Sequence, residues 1–299
     1  MEWIFYPMLG AAVLIAGLSL LLQRRRRWVD SGRSLDNSLA GCRSLLALTA
    51  HFQQHRGMSS AWLSGDRSFA SKLDSKAREI DALFQSLRPV ARSESDKPHP
   101  CLTPNDLSLL QRRWQELREK LAGLSVEQSI AEHSRLIEQL LQWLSALGEA
   151  RLEPLVGDRG ARGMVRNYAS RLPALAECLG QARAVGLSVV TRKACSAVAR
   201  VRLMFLIARA EALLKQAAEG DMRSAQAAGA RLAVQQMAEL VRTRMLVSSE
   251  ISVTVPEYFA GATLAVDAVF GLIDECGRQL VGDGWSGQSG RPAGYAHSF

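Results

Sequence analysis

Twenty consecutive uncharged residues, 3–22, stand at the start of the chain, and four arginines, Arg24, Arg25, Arg26 and Arg27, follow almost at once. No other feature restricts the fold as strongly. As a helix rising 1.5 Å per residue, the run spans roughly 30 Å, the thickness of bilayer hydrocarbon. Trp3 and Tyr6 at one end and Trp28 at the other suit interfacial anchors. A cleaved signal peptide is the competing reading. It needs a basic leading segment, a shorter apolar core and small residues where the arginines stand. The charge asymmetry predicts a transmembrane helix over 1–23 and a basic juxtamembrane linker over 24–34, with everything beyond in the cytoplasm. The arginine run then lies among anionic lipid headgroups, each arginine contributing about 1 kcal/mol. Gly10, Ala12, Ala16 and Gly17 form a small-residue face that suits packing against a second copy, as in a homodimer.

The rest of the composition narrows the function. The formal charge of +8 suggests nucleic acid, but four of those positives sit in the arginine run. The remaining excess is spread along the chain, so no nucleic-acid partner is expected. Five cysteines, far apart, odd in number and without a C-x-x-C pair, argue against a disulfide framework or a thiolate metal site. A reducing compartment fits them. Hydrophobic residues reach 47%, enough for a real core, while aromatics are only 6% and β-branched residues rarely cluster.

Helical periodicity is nearly unbroken after residue 34. It predicts a first helix over 35–63, closed by a turn at Ser64, Gly65 and Asp66, and a second over 68–87. Residues 88–104, rich in Pro, Ser and charge, are expected to form a loop. Thr103 and Pro104 supply the cap and first-turn proline of a third helix reaching 121. Ser125 and Gln128 form the capping box of a fourth, to 152. A glycine-containing turn at 157–163 leads to a fifth, kinked at Pro173. Three more cover 195–218, 222–249 and 256–281, and a Gly- and Ser-rich tail, 282–299, is expected to be disordered. Short connections imply antiparallel neighbours. The predicted fold class is therefore all-α: one N-terminal transmembrane helix followed by two up-and-down four-helix bundles over 35–281.

Two arginines break the pattern. On a helical wheel Arg56 falls among Cys42, Leu45, Thr49, Phe52, Gln53, Ser59, Ser60 and Leu63, with Arg43, His51 and His55 pointing elsewhere. Arg183 falls among Ala169, Leu172, Ala176, Leu179, Gly180, Gly186, Leu187 and Val190, with Glu177 outside. A buried guanidinium cannot shed its charge and must find an anion. That anion is either a carboxylate from another helix, in a structural salt bridge, or a small bound oxyanion whose plane matches the guanidinium fork. Neither wheel offers an acidic residue on the arginine's face, which favours the oxyanion.

The residues around both arginines carry a family resemblance. The segment Gln53-Gln54-His55-Arg56-Gly57-Met58-Ser59 resembles the Gln-x-Glu-Arg-Gly-Leu-Ser signature of the bacterial nitrate- and nitrite-sensing domain. Gly180-Gln181-Ala182-Arg183-Ala184 is similar to its second signature, Gly-Gln-Glu-Arg-Ala. Residues 256–263 with Asp267 and Ala268 resemble its closing helix. The resemblance covers about residues 35–275. It implies two four-helix bundles and nitrate or nitrite held by Arg56 and Arg183, with Gln53, Gly57, Ser59, Ser60, Gly180 and Gln181 in support. It also implies an unidentified output protein that reads the state, since family members carry an output module that these helices do not include. The bacterial inner membrane is the expected location. His55 and Ala182 stand where both signatures have Glu, which removes negative charge beside two cations.

Other constellations point less far. His51 and His55, four apart, lack a third ligand of matching geometry, and His99 and His133 read as isolated, so no metal and no cofactor is expected. Met58 and Trp62 read as core. Arg200, Arg202 and Arg209 either extend the anion site or face solvent and headgroups. No nucleophile–base arrangement stands out, so no enzyme is expected. A membrane-tethered helical scaffold with a degenerate, ligand-free site is the alternative. A carboxylate closed onto the arginines would support the scaffold, and a vacant pair of arginines the sensor.

Overall fold

The computed structural model describes residues 5–156, 159–219, 224–246 and 251–282, the side chains of residues 5–33 and 159 excepted. Every regular element among these residues is helical. The apolar run, its aromatic anchors, the arginine run and the tail 283–299 lie outside the described side chains. Among the residues whose side chains are described, no helix is long and apolar enough to cross a membrane.

The first helix, α1, runs Phe5–Leu63 without interruption, so the backbone stays helical through the basic segment 24–34. Arginine is a good helix former, and that segment holds one glycine and no proline to stop it. The helix ends where the turn was expected. Gly65, at φ 111°, takes the left-handed position, and the Asp66 N–H reaches back to the Ala61 carbonyl while the Gly65 N–H reaches Trp62. This closes a Schellman motif. Asp66 then caps a short 3-10 turn, Arg67–Phe69, by accepting from the Ser68 N–H.

Helix α2, Ala70–Ser95, departs from expectation by continuing through Pro89 into the stretch read as a loop. Its buried stripe explains why. Leu73, Ala77, Ile80, Phe84, Leu87, Ala91 and Glu94 keep helical spacing past the proline. Burial there outweighs a helix break of about 3 kcal/mol. Glu94 closes the stripe as a buried carboxylate held by Arg151 and Lys97. Helices α3, Pro104–Lys120, and α4, Val126–Leu147, open on the expected caps. Thr103 pairs with Asp106 and Ser125 with Gln128, each as a complete capping box.

A π-turn, Gly148–Leu152, and a 3-10 turn, Glu153–Leu155, follow α4. Helix α5, Arg159–Arg166, passes through a second π-turn, Asn167–Arg171, into α6, Leu172–Arg192. Pro173 therefore sits in the first turn of α6, where its missing N–H costs little, and the irregularity is the π-turn before it. Helices α7, Ala197–Ala218, α8, Ala225–Val241, and α9, Val255–Gly282, complete the described residues, and Ser196 and Ser224 cap α7 and α8.

Neighbours pack in two closed series. Helix α1 contacts α2 and α4, and α3 lies between α2 and α4; α6 contacts α7 and α9, with α8 against both. Helix α6 also touches α1 and α4, so it belongs to both series. One contiguous apolar core runs through them.

Candidate functional site

Arg56 stands one turn after Phe52 on the stripe that buries α1, and it is 1% exposed. Its guanidinium meets a carboxylate that the wheel had turned away: Glu177 of α6. Arg56 Nη1 donates to Glu177 Oε1 at 2.5 Å and Nη2 to Oε2 at 3.2 Å. Two amides complete the carboxylate's surroundings. Gln53 Nε2 donates to Oε2 at 2.9 Å, and Gln181 Nε2 to Oε1 at 2.9 Å. Arg56 Nη1 also donates to Ser134 Oγ on α4, at 2.9 Å. Gly180 makes the approach feasible, since a Cβ there would lie 2.8 Å from Arg56 Nη2.

This corrects the expectation that neither arginine meets an inward acidic residue. A wheel assigns one buried face to each helix, but α6 is buried on nearly every side. Glu177 faces α1 while Arg183, six residues on, faces α9. A carboxylate one turn before Gln181 was legible as a candidate in the sequence, had α6 been treated as a central helix.

Arg183 is 8% exposed. Its Nη1 donates to Thr263 Oγ1 on α9 at 3.2 Å, and its guanidinium carbon stands 5.7 Å from the centre of the Phe259 ring. Among the described residues no carboxylate lies within ion-pair distance of it, although Asp267 favours its charge from further off. Burial, and then the charge of Arg56, pull its pKa down. The two guanidiniums thus sense each other, with one carboxylate bound to the first. The α9 motif docks here as well. Tyr258 donates to the Ala182 carbonyl at 2.6 Å, and its ring fills the space that a side chain at Gly186 would need.

Of the supporting residues, the structure brings Gln53, Gly180 and Gln181 to Arg56 and leaves three aside. Ser60 bonds back to the Arg56 carbonyl, Ser59 contacts His55 Nδ1 at 3.2 Å, and Gly57 is half-buried with open space beside it. Arg202 reaches the rim, its Nη2 3.5 Å from Gln181 Oε1, while Arg200 donates to the Leu246 carbonyl.

The histidines also differ from expectation. His55 does not point away: it is 2% exposed, packed edge-on to Trp114, and its Nδ1 lies 2.8 Å from Nε2 of His133, which is fully buried rather than isolated. Two helices pack on α1 from different sides, so its buried sector is wider than one stripe. His133 Nδ1 faces the Ser129 carbonyl at 2.7 Å and must carry its proton there. Its Nε2 therefore accepts from His55. Burial drives both pKa values down, to about 4 for His133 and about 2 for His55, where the neighbouring His133 adds to the effect. His51 goes elsewhere, to Lys76 and Glu79. Among the described residues, no three groups cluster as metal ligands.

The sequence profile of the nitrate and nitrite sensing family, NIT, matches residues 47–281. A solved structure, that of the NasR transcription antiterminator, superposes with a TM-score of 0.65 at 19% identity, covering 90% of this chain and 74% of that one. At that identity the likeness speaks for the fold. No curated protein sequence matches. The profile takes in the helices that carry Arg56, Glu177, Arg183 and the α9 motif, and on it the chain belongs to the NIT family of nitrate- and nitrite-sensing proteins.

Proposed function

We propose that this chain is a membrane-anchored sensor that takes nitrate or nitrite through Arg56 and Arg183 and passes the bound state to a partner protein. One observation carries the reading: Arg183, buried and without a carboxylate in ion-pair distance among the described residues, stands two residues after Gln181 of the donor fork that Arg56, Gln53 and Gln181 form around the flat Glu177 carboxylate. Nitrate and nitrite present the same flat arrangement of oxygens to such a fork. Family membership supports the same ligands. The contact order α1–α2–α3–α4 and α6–α7–α8–α9 supports two four-helix bundles joined along α6. An anion bridging α1 and α6 would then favour one packing of the two over another. The anchor rests on the sequence of residues 3–27, which also supports an inner-membrane location, headgroup contacts at Arg24, Arg25, Arg26 and Arg27, and a cytoplasmic domain.

The Arg56–Glu177 bridge favours the second reading, a tethered scaffold without a ligand. By the criterion of a closed carboxylate, Arg56 behaves as a scaffold's arginine and Arg183 as a sensor's. Melting temperature with nitrate, nitrite or chloride separates them. A sensor's melting temperature rises with either ligand and not with chloride, because a ligand bound only by the folded state stabilises it. A chain unmoved by millimolar nitrate and nitrite is not a sensor of either.

A further inference from the structure

We infer that Glu177 is the resident counter-ion of Arg56 and that an incoming oxyanion takes its place, so that binding breaks the ion pair between α1 and α6. The inference rests on the proposed nitrate and nitrite site and adds what that reading leaves open, the event that binding sets off.

The packing around the guanidinium requires exchange. Both terminal nitrogens of Arg56 are committed to the two oxygens of Glu177, and Nη1 also serves Ser134. The amides of Gln53 and Gln181 are spent on the same two oxygens. Gly180 closes against Nη2, so α6 itself covers that side. An anion cannot be added to this fork while the carboxylate stays. It can replace it, since nitrate offers oxygens on a flat trigonal centre to the same four donors. Charge favours the exchange over an empty fork, because leaving a guanidinium buried this deeply with no anion beside it is costly. The displaced carboxylate has a cation to turn to. Gln181 links it to Arg202, half-buried on α7. The anion, once seated, also answers Arg183, which has no carboxylate of its own within ion-pair distance among the described residues.

In the anion-free protein the Glu177 carboxylate thus acts as a built-in competitor, and the measured affinity for nitrate is reduced by the fraction of molecules in which the fork is occupied. Glu177→Gln keeps the shape and removes the charge. Calorimetry of the full chain in detergent, titrated with sodium nitrate against sodium chloride, should show E177Q binding nitrate at least tenfold more tightly than the parent. Adding Arg56→Ala should erase that gain, because the anion would sit on Arg56. A gain that survives in the R56A/E177Q double variant overturns the exchange, since the anion then rests on Arg183 alone and merely feels one negative charge fewer. Parent and E177Q binding nitrate alike, or E177Q more weakly, also overturns it while leaving the sensor reading intact. Nitrate binding by neither protein defeats the sensor reading itself, and the exchange with it. Should E177Q not fold in chloride, refolding in nitrate is the signature of exchange. Failure in both salts would show a carboxylate that no anion replaces.

Discussion

Arg56 and Arg183 are the same side chain under two different electrostatic regimes, and their removal should have opposite consequences. Arg56→Ala strands the Glu177 carboxylate, 8% exposed, with two neutral amides for company. Breaking a buried pair in this way costs about 3–5 kcal/mol. Arg183→Ala removes a buried cation that Arg56 disfavours and Asp267 favours, at the loss of one bond to Thr263 and one contact with Phe259. Its effect on the anion-free protein should be slight or stabilising. Urea unfolding without nitrate tests the contrast, and equal losses from the two variants would refute it. Both should weaken nitrate binding at least tenfold, the equivalent of about 1.4 kcal/mol, and Arg56→Lys should do so too, since an ammonium cannot fork. The histidine pair makes a further prediction. Both are bases held neutral by burial, so the unfolded chain takes up protons first as pH falls. Their contribution is complete above about pH 6.5 and is lost as pH drops toward about 4 for His133 and about 2 for His55, at up to about 1.4 kcal/mol per unit for each. Unfolding free energy measured between pH 7.5 and 5 should fall, and His133→Gln should flatten the slope. An unchanged slope in that variant would assign the acid sensitivity to other groups.

Helix α6 holds the joint between the two series of helices, and glycine sets how closely its neighbours approach. Gly180→Ala would press a methyl group against Arg56 Nη2, so the fork must shift, and nitrate binding should weaken even if the fold survives. Gly186→Ala would drive into the Tyr258 ring and part α9 from α6, a packing fault costing typically 1–3 kcal/mol. Melting temperatures of the two variants should therefore separate, with G186A the lower; the reverse order would argue against this account. Signals that are local in sequence were legible beforehand: the capping boxes at Thr103 and Ser125, the turn at Gly65, and the burial of Arg56 itself. What depends on several neighbours was not. Pro89 sits within α2 because residues on both sides of it bury, which no reading of the proline alone reveals. Glu177 and His55 were misplaced for one reason: each lies on a helix covered from more than one direction, where a single stripe is the wrong description.

The described residues are organised around two helices of different character, a central α6 packed by α1, α4, α7 and α9 and an α1 longer than any other. Removing residues 1–28 should leave a strongly helical protein that needs no detergent, as sedimentation and circular dichroism would show; a truncated chain that stays with the membrane fraction would reveal a second insertion. A reporter active only in the cytoplasm, fused after Phe299, should be active if the arginine run sets the orientation. The 59 residues of α1 form one rod, about 88 Å long at 1.5 Å per residue, with Arg56 close to one end. A continuous helix has no hinge at which torque is dissipated. An unbroken helical path therefore joins Arg56 to Phe5, and a twist or axial slip imposed when the counter-ion changes has a direct route along it. Phase becomes the quantity that matters. One residue inserted near position 34 would turn the two ends about 100° out of step, while seven would return them to within about 20°. The chain would then respond to the length of its own shaft modulo a turn, as a mechanical linkage does.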